Sequence, residues 1–75
     1  MTDLEELAVS FGKFVAERDE IQIEDITDET VEEVVQEFIR QVLKGKKLSE
    51  DELALVRVAV EHGLYDGATV NEMEG

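Results

Sequence analysis

The chain has 75 residues, no cysteine, one histidine, and 20 acids against 7 bases, for a net charge of −13. These totals exclude disulfide staples and a Cys/His zinc site, and a charge of this sign opposes direct binding to nucleic acid or an anionic membrane while favouring a basic protein. Apolar residues make up 43% of the chain, enough for one folded domain over 1–75, but a domain this small buries only about 60% of its unfolded surface, so well-formed helices or self-association must support it.

In chain order, the first helix is expected over about residues 2–18. Thr2 and Glu5 have capping-box spacing, and Leu4, Leu7, Ala8, Phe11, Phe14 and Val15 follow at helical spacing on one face. Gly12 interrupts that face, either at a propensity cost of roughly 1 kcal/mol or as the mark of a close helix approach. Residues 20–24, Glu-Ile-Gln-Ile-Glu, alternate with period two. That pattern predicts either one short strand or an extended loop. A strand here needs a partner, Ala68-Thr69-Val70 or its own copy across a dimer.

The second helix is predicted over about 27–44. Val31, Val34, Val35, Phe38, Ile39, Val42 and Leu43 form an amphipathic stripe. Thr27 is the expected N-cap, with Ile26 and Val31 at hydrophobic-staple positions. Asp28 and Glu29 in the first turn and Lys44 in the last match the helix dipole, and Gly45 is placed to supply a left-handed cap. The third helix is predicted over about 49–63 from a Ser49/Glu52 capping box and a Leu48/Leu53 staple. Its body, Leu53 to Val60, is apolar except for Arg57. A helix apolar nearly all round is buried on more than one side, which predicts self-association through Leu55, Val58 and Ala59. Gly63 is expected to end this helix, Tyr65-Asp66-Gly67 to turn, and 65–75 to form a tail. The fold class is therefore mainly α, a small three-helix domain with or without the short strand.

Charge is distributed unevenly. From Glu17 to Glu37 ten acids meet one base, Arg18, whereas Arg40 to Lys47 holds four bases and no acid. No uncharged apolar run approaches the roughly 20 residues of a membrane span, and Met1-Thr2-Asp3-Leu4-Glu5-Glu6 lacks a signal peptide's basic start, so a cytoplasmic location and no membrane contact are expected.

Catalytic apparatus is not legible. Ser10 and Ser49 are the only serines and His62 the only histidine, so no nucleophile–base–orienter set exists; the ordinary role expected of His62, at the predicted end of the third helix, is favourable interaction with the helix dipole. The carboxylates fall on predicted solvated faces rather than in a pocket with opposed environments. Asp25-Ile26-Thr27-Asp28-Glu29 lacks the ligand alternation and central glycine of a calcium loop. Acyl carrier proteins of similar size need Asp-Ser-Leu at a helix start; Ser49 stands between Leu48 and Glu50. No enzyme, cofactor or metal is expected.

Two resemblances concern nucleic-acid biology. The order strand, helix, helix over 20–62 resembles a ribbon-helix-helix unit, whose dimeric ribbon reads bases, although Glu20, Gln22 and Glu24 would give that ribbon the wrong charge for DNA. Glu29, Glu33 and Glu37 recur four residues apart with Glu32 alongside, about 6 Å apart along the helix, near the spacing of phosphates on a strand. Glu24, Asp25 and Asp28 extend the row. In charge and size the chain resembles small acidic DNA mimics, which block basic nucleic-acid-binding proteins. The expected function is a non-enzymatic inhibitor of this kind, of phage or mobile-element type, binding a basic protein through Glu24, Asp25, Asp28, Glu29, Glu32, Glu33 and Glu37. The alternative is a homodimeric structural or regulatory adaptor binding through the apolar third helix, with the acids serving solvation.

Overall fold

A computed structural model describes residues 3–74. Three α-helices and one 3₁₀ turn form among them: α1 Leu4–Arg18, the turn Ile23–Asp25, α2 Asp28–Gln41 and α3 Glu50–Glu74. The helix start expected at Thr2 lies outside the described residues. Asp3 is the N-cap position of α1, with no side-chain hydrogen bond to the first turn.

Helix α3 is the longest element, 25 residues, and α1 runs along it in intimate contact. Small residues make that contact. Ala8, Gly12 and Ala16 repeat every four residues on α1, and Ala59, Gly63 and Gly67 do so on α3; all six are buried. A Cβ at Gly12 would stand 2.5 Å from the Val60 carbonyl oxygen, and one at Gly63 would overlap the Val9 carbonyl oxygen. The two backbones touch because these positions have no side chain. The expectation that Gly63 ends the third helix, with a turn at 65–67 and a tail after it, is therefore corrected. The helix continues through Leu64 and Ala68, both fully buried, and the Thr69 hydroxyl donates to the Tyr65 carbonyl one turn back at 2.8 Å. Packing against α1 outweighs the roughly 1 kcal/mol that each interior glycine costs a helix.

The same contact sets the rotation of α1. Its buried stripe is Ala8, Gly12, Val15 and Ala16, which turns Phe14 out to 56% exposure with the Arg18 guanidinium 5.6 Å from its ring centroid. Phe14 is thus not part of the core face. Phe11 reaches across to α2, its ring centroid 5.5 Å from that of the fully buried Phe38. From α2, Val31, Val34, Val35 and Phe38 close the core against Val56, Val60 and Leu64 of α3.

No strand forms among the described residues. Residues 20–24 pass instead through a reversal and the 3₁₀ turn, and Ala68-Thr69-Val70, one of the two partners a strand here could have had, is helical; the ribbon of a ribbon-helix-helix unit is absent with it. The reversal closes α1 through a left-handed residue, Glu20, at φ 53°. The Ile21 N–H donates to the Ala16 carbonyl at 2.9 Å and the Glu20 N–H to the Glu17 carbonyl at 3.4 Å, the paired bonds of a Schellman motif. Asn71 locks this exit: its side-chain amide donates to the Ala16 carbonyl at 2.9 Å and to the Ile21 carbonyl at 3.0 Å. Only a third helix extended past Gly67 brings Asn71 there.

Both other helix starts form as their sequences predict. The Thr27 hydroxyl accepts from the Thr30 N–H at 3.2 Å. The Ser49 hydroxyl accepts from the Glu52 N–H at 3.2 Å while the Glu52 carboxylate accepts from the Ser49 N–H at 3.1 Å. Helix α2 ends at Gln41, three residues before the predicted boundary, where left-handed Lys44 (φ 56°) and Gly45 (φ 79°) reverse the chain together and the Gly45 N–H donates to the Ile39 carbonyl at 2.8 Å.

Candidate functional site

The acidic residues singled out in the sequence occupy one end and the outer side of α2, in three different settings. Asp25 belongs partly to the 3₁₀ turn. Its carboxylate accepts from the Gln22 N–H at 3.3 Å, and its carbonyl accepts from the Thr30 hydroxyl at 3.0 Å. Glu32 and Glu37 sit on opposite flanks of α2 and are ion-paired, Glu32 with Arg57 of α3 at 2.8 Å and Glu37 with Arg18 of α1 at 3.4 Å. Side-chain amides add to both, Gln36 donating to Glu32 at 3.3 Å and Gln41 to Glu37 at 2.9 Å. Glu24, Asp28, Glu29 and Glu33 are exposed and in no ion pair among the described residues.

The row expected along Glu29, Glu33 and Glu37 therefore winds off the crest of α2. At 100° per residue, a step of four gains 40°, and by Glu37 the row has reached the flank that α1 approaches. Gln36 and Arg40 share the crest with Glu29 and Glu33. Together with Glu32 and Glu37 they border a shallow open depression of about 580 Å³ along the side of α2. Arg18 and Arg57 are the site residues that the sequence did not announce as such: each comes from another helix, and only the packing places it beside a carboxylate.

The sequence dipole is also a dipole in space. Helix α2, fourteen residues and about 21 Å long, has the acid-rich 3₁₀ turn and its own acidic first turn at one end and Arg40, Lys44, Lys46 and Lys47, all exposed, at the other. The basic end is partly answered by the start of α3, where the Ser49 backbone N–H and hydroxyl, with Lys46 nearby, hold the Glu52 carboxyl below its ordinary value. Arg18 does the same for Asp19, chiefly through a side-chain hydrogen bond at 3.0 Å.

The three residues expected to mediate self-association part company. Leu55 and Val58 are 39% and 67% exposed, but Ala59, at 3%, is spent on the core contact with α1. Among the described residues no group of His, Asp and Glu is arranged to hold a metal ion, and no helix is long and apolar enough to cross a membrane. The chain matches no protein-family model, no curated protein and no solved structure.

Proposed function

We propose that this chain is a non-enzymatic cytoplasmic protein-binding module that engages a basic partner through the acid-rich end of α2, acting as an inhibitor that occupies the nucleic-acid cleft of that partner, in the manner of phage or mobile-element DNA mimics. The observation that carries the reading is the set of exposed carboxylates Glu24, Asp28, Glu29 and Glu33, which no base of the described chain neutralises. Carboxylates that repel one another within a helix cost a few tenths of a kcal/mol per pair, and a cationic surface removes that cost on binding. Glu32 and Glu37 flank the patch, with Arg57 and Arg18 fixing their side chains.

The test is capture from lysate on the immobilised chain, with elution by a salt gradient and by duplex DNA. A protein that binds through this patch leaves at moderate salt, is displaced by DNA, and is not retained by Glu29→Gln/Glu33→Gln. That double variant removes two crest charges without touching either ion pair. Retention by the variant as strong as by the parent chain would sink the proposal.

The second reading, a homodimeric adaptor associating through α3, draws on the exposure of Leu55 and Val58. Sedimentation equilibrium decides it: a dimer mass that Val58→Asp halves supports it, and a monomer mass across the accessible concentrations ends it.

A further inference from the structure

The edge of α3 that borders α1 carries a surface to which α2 contributes nothing. Val58 and His62 form a ridge between two depressions. One, of about 110 Å³, is lined by Glu5, Val9, Leu55, Val58, Ala59 and His62; the other, of about 300 Å³, by Val58, Glu61, His62 and Tyr65. Leu55, Val58, His62 and Tyr65 follow at steps of three, four and three, the spacing with which one helix presents a seam to another. The core stripe of α3, with Val56, Val60 and Leu64, faces the other way.

Charge identifies what fits this seam. Glu5 stands at its α1 edge and Glu61 at the opposite edge, while Asp51 lies one turn before Leu55 and Asp66 beside Tyr65. All four are exposed, and none is in an ion pair among the described residues. The nearest base on α3, Arg57, is held by Glu32 at 2.8 Å. We propose that the seam docks an amphipathic helix of a partner protein, apolar along one face and rich in lysine or arginine along both flanks. Such a helix sets an aliphatic side chain into each depression and brings cations to both rims, the helix-in-groove mode of recognition. A second copy of this chain fits less well, because it would bring the same four carboxylates to the same rims with only His62 on the ridge and Lys13 of α1, which packs beside Gly63 and Gly67, to meet them. The inference does not depend on what α2 binds.

The experiment uses the full chain and two synthetic peptides of about 18 residues, roughly five helical turns. Both carry lysine on their flanks; one has leucine along a single face and the other serine in its place. Calorimetric titration is expected to show the leucine peptide binding at least about tenfold more tightly than the serine peptide. Val58→Asp is expected to weaken the leucine peptide at least about tenfold, even though it adds a negative charge opposite a cationic ligand, and the uncharged pair Leu55→Ser/Val58→Ser to do the same. Glu29→Gln/Glu33→Gln, on α2, is expected to change the affinity less than about threefold. Chemical-shift changes should gather on Leu55, Val58 and Tyr65. Equal affinity for the two peptides, or indifference to both seam variants, overturns the proposal. So does a dimer of the chain alone that Leu55→Ser/Val58→Ser dissociates, which would give the seam to a second copy. Circular dichroism of each variant guards against loss of fold, and the serine pair decides if Val58→Asp is unfolded.

Discussion

Glu20 holds a backbone conformation that suits glycine. At φ 53° its Cβ crowds the backbone, and left-handed geometry costs an L-residue roughly 1–2 kcal/mol. Glycine removes that cost but returns part of it as freedom of the unfolded chain. Glu20→Gly is therefore expected to stabilise the protein by about 0.5–1 kcal/mol, read from the urea midpoint. Glu20→Gln, which removes the charge and keeps the Cβ, should leave the midpoint nearly unchanged; an equal rise in both variants would mean that charge, not backbone, is at issue. Glu52 makes a prediction of a different kind. The Ser49 N–H, then the Ser49 hydroxyl, hold its carboxyl below the ordinary value of 4.5. A depressed folded value means that the ionised carboxylate contributes stability fully above pH 4.5 and loses it as pH falls through the lower folded value. The stability difference between the parent chain and Glu52→Gln should then be constant near neutrality and shrink in acid below that value. A difference independent of pH down to acid unfolding would show that the capping box contributes nothing through ionisation.

At the scale of the helices, the elements whose ends are marked by side-chain chemistry were legible. Thr27 and Ser49 open α2 and α3 as their hydroxyls predict, and Val31, Val34, Val35 and Phe38 of the predicted stripe are the buried face of α2, whereas Val42, past the helix end, is exposed. What misled was glycine, because a glycine after an apolar helical run is the ordinary signal of a helix end. Gly63 and Gly67 serve contact instead, and the signal that separates the two uses was present: a small residue every fourth position on both helices, Ala8-Gly12-Ala16 and Ala59-Gly63-Gly67. The period-two run at 20–24 was too short to decide between strand and loop, and it lost the one partner available within the chain when the C-terminal segment proved helical. The contact makes a prediction of sign. In a free helix Gly63→Ala would be favourable by about 1 kcal/mol, but here its methyl group would meet the Val9 carbonyl oxygen. Separating α1 from α3 to make room is expected to cost about 1–3 kcal/mol. Gly12→Ala should behave alike, facing the Val60 carbonyl oxygen at 2.5 Å. A thermal midpoint raised by either substitution would rule out the close approach of these helices.

For the molecule as a whole, the composition made the acidic surface legible but not its partition. That Glu32 and Glu37 have cationic partners follows from where Arg57 and Arg18 arrive, and a linear sequence does not contain that. The partition bears on stability as well as on binding. A net charge of −13 is spread over a body of 38 × 27 × 18 Å. At about 10 mM salt the screening length is about 30 Å, so nearly every carboxylate acts on every other; at about 0.15 M it is about 8 Å, and only neighbours interact. Self-repulsion opposes the compact state, so the thermal midpoint of the free chain is expected to rise between these two salt concentrations, with the larger part of the rise complete by the second. Glu29→Gln/Glu33→Gln removes an i,i+4 repulsion worth a few tenths of a kcal/mol and breaks no ion pair. Glu29 also lies in the first turn of α2, where its charge meets the helix dipole favourably by about 0.3–1 kcal/mol; the two effects offset, so the variant should melt close to the parent chain in low salt and gain less from added salt. The proposed binding requires the opposite response to salt: salt and the double substitution both weaken it, because the repulsion that loosens the free chain is what a cationic partner relieves. A double variant that is about as stable as the parent chain in low salt and binds less is the expected pair of results. One that binds as before would leave the α2 carboxylates with an effect on folding alone.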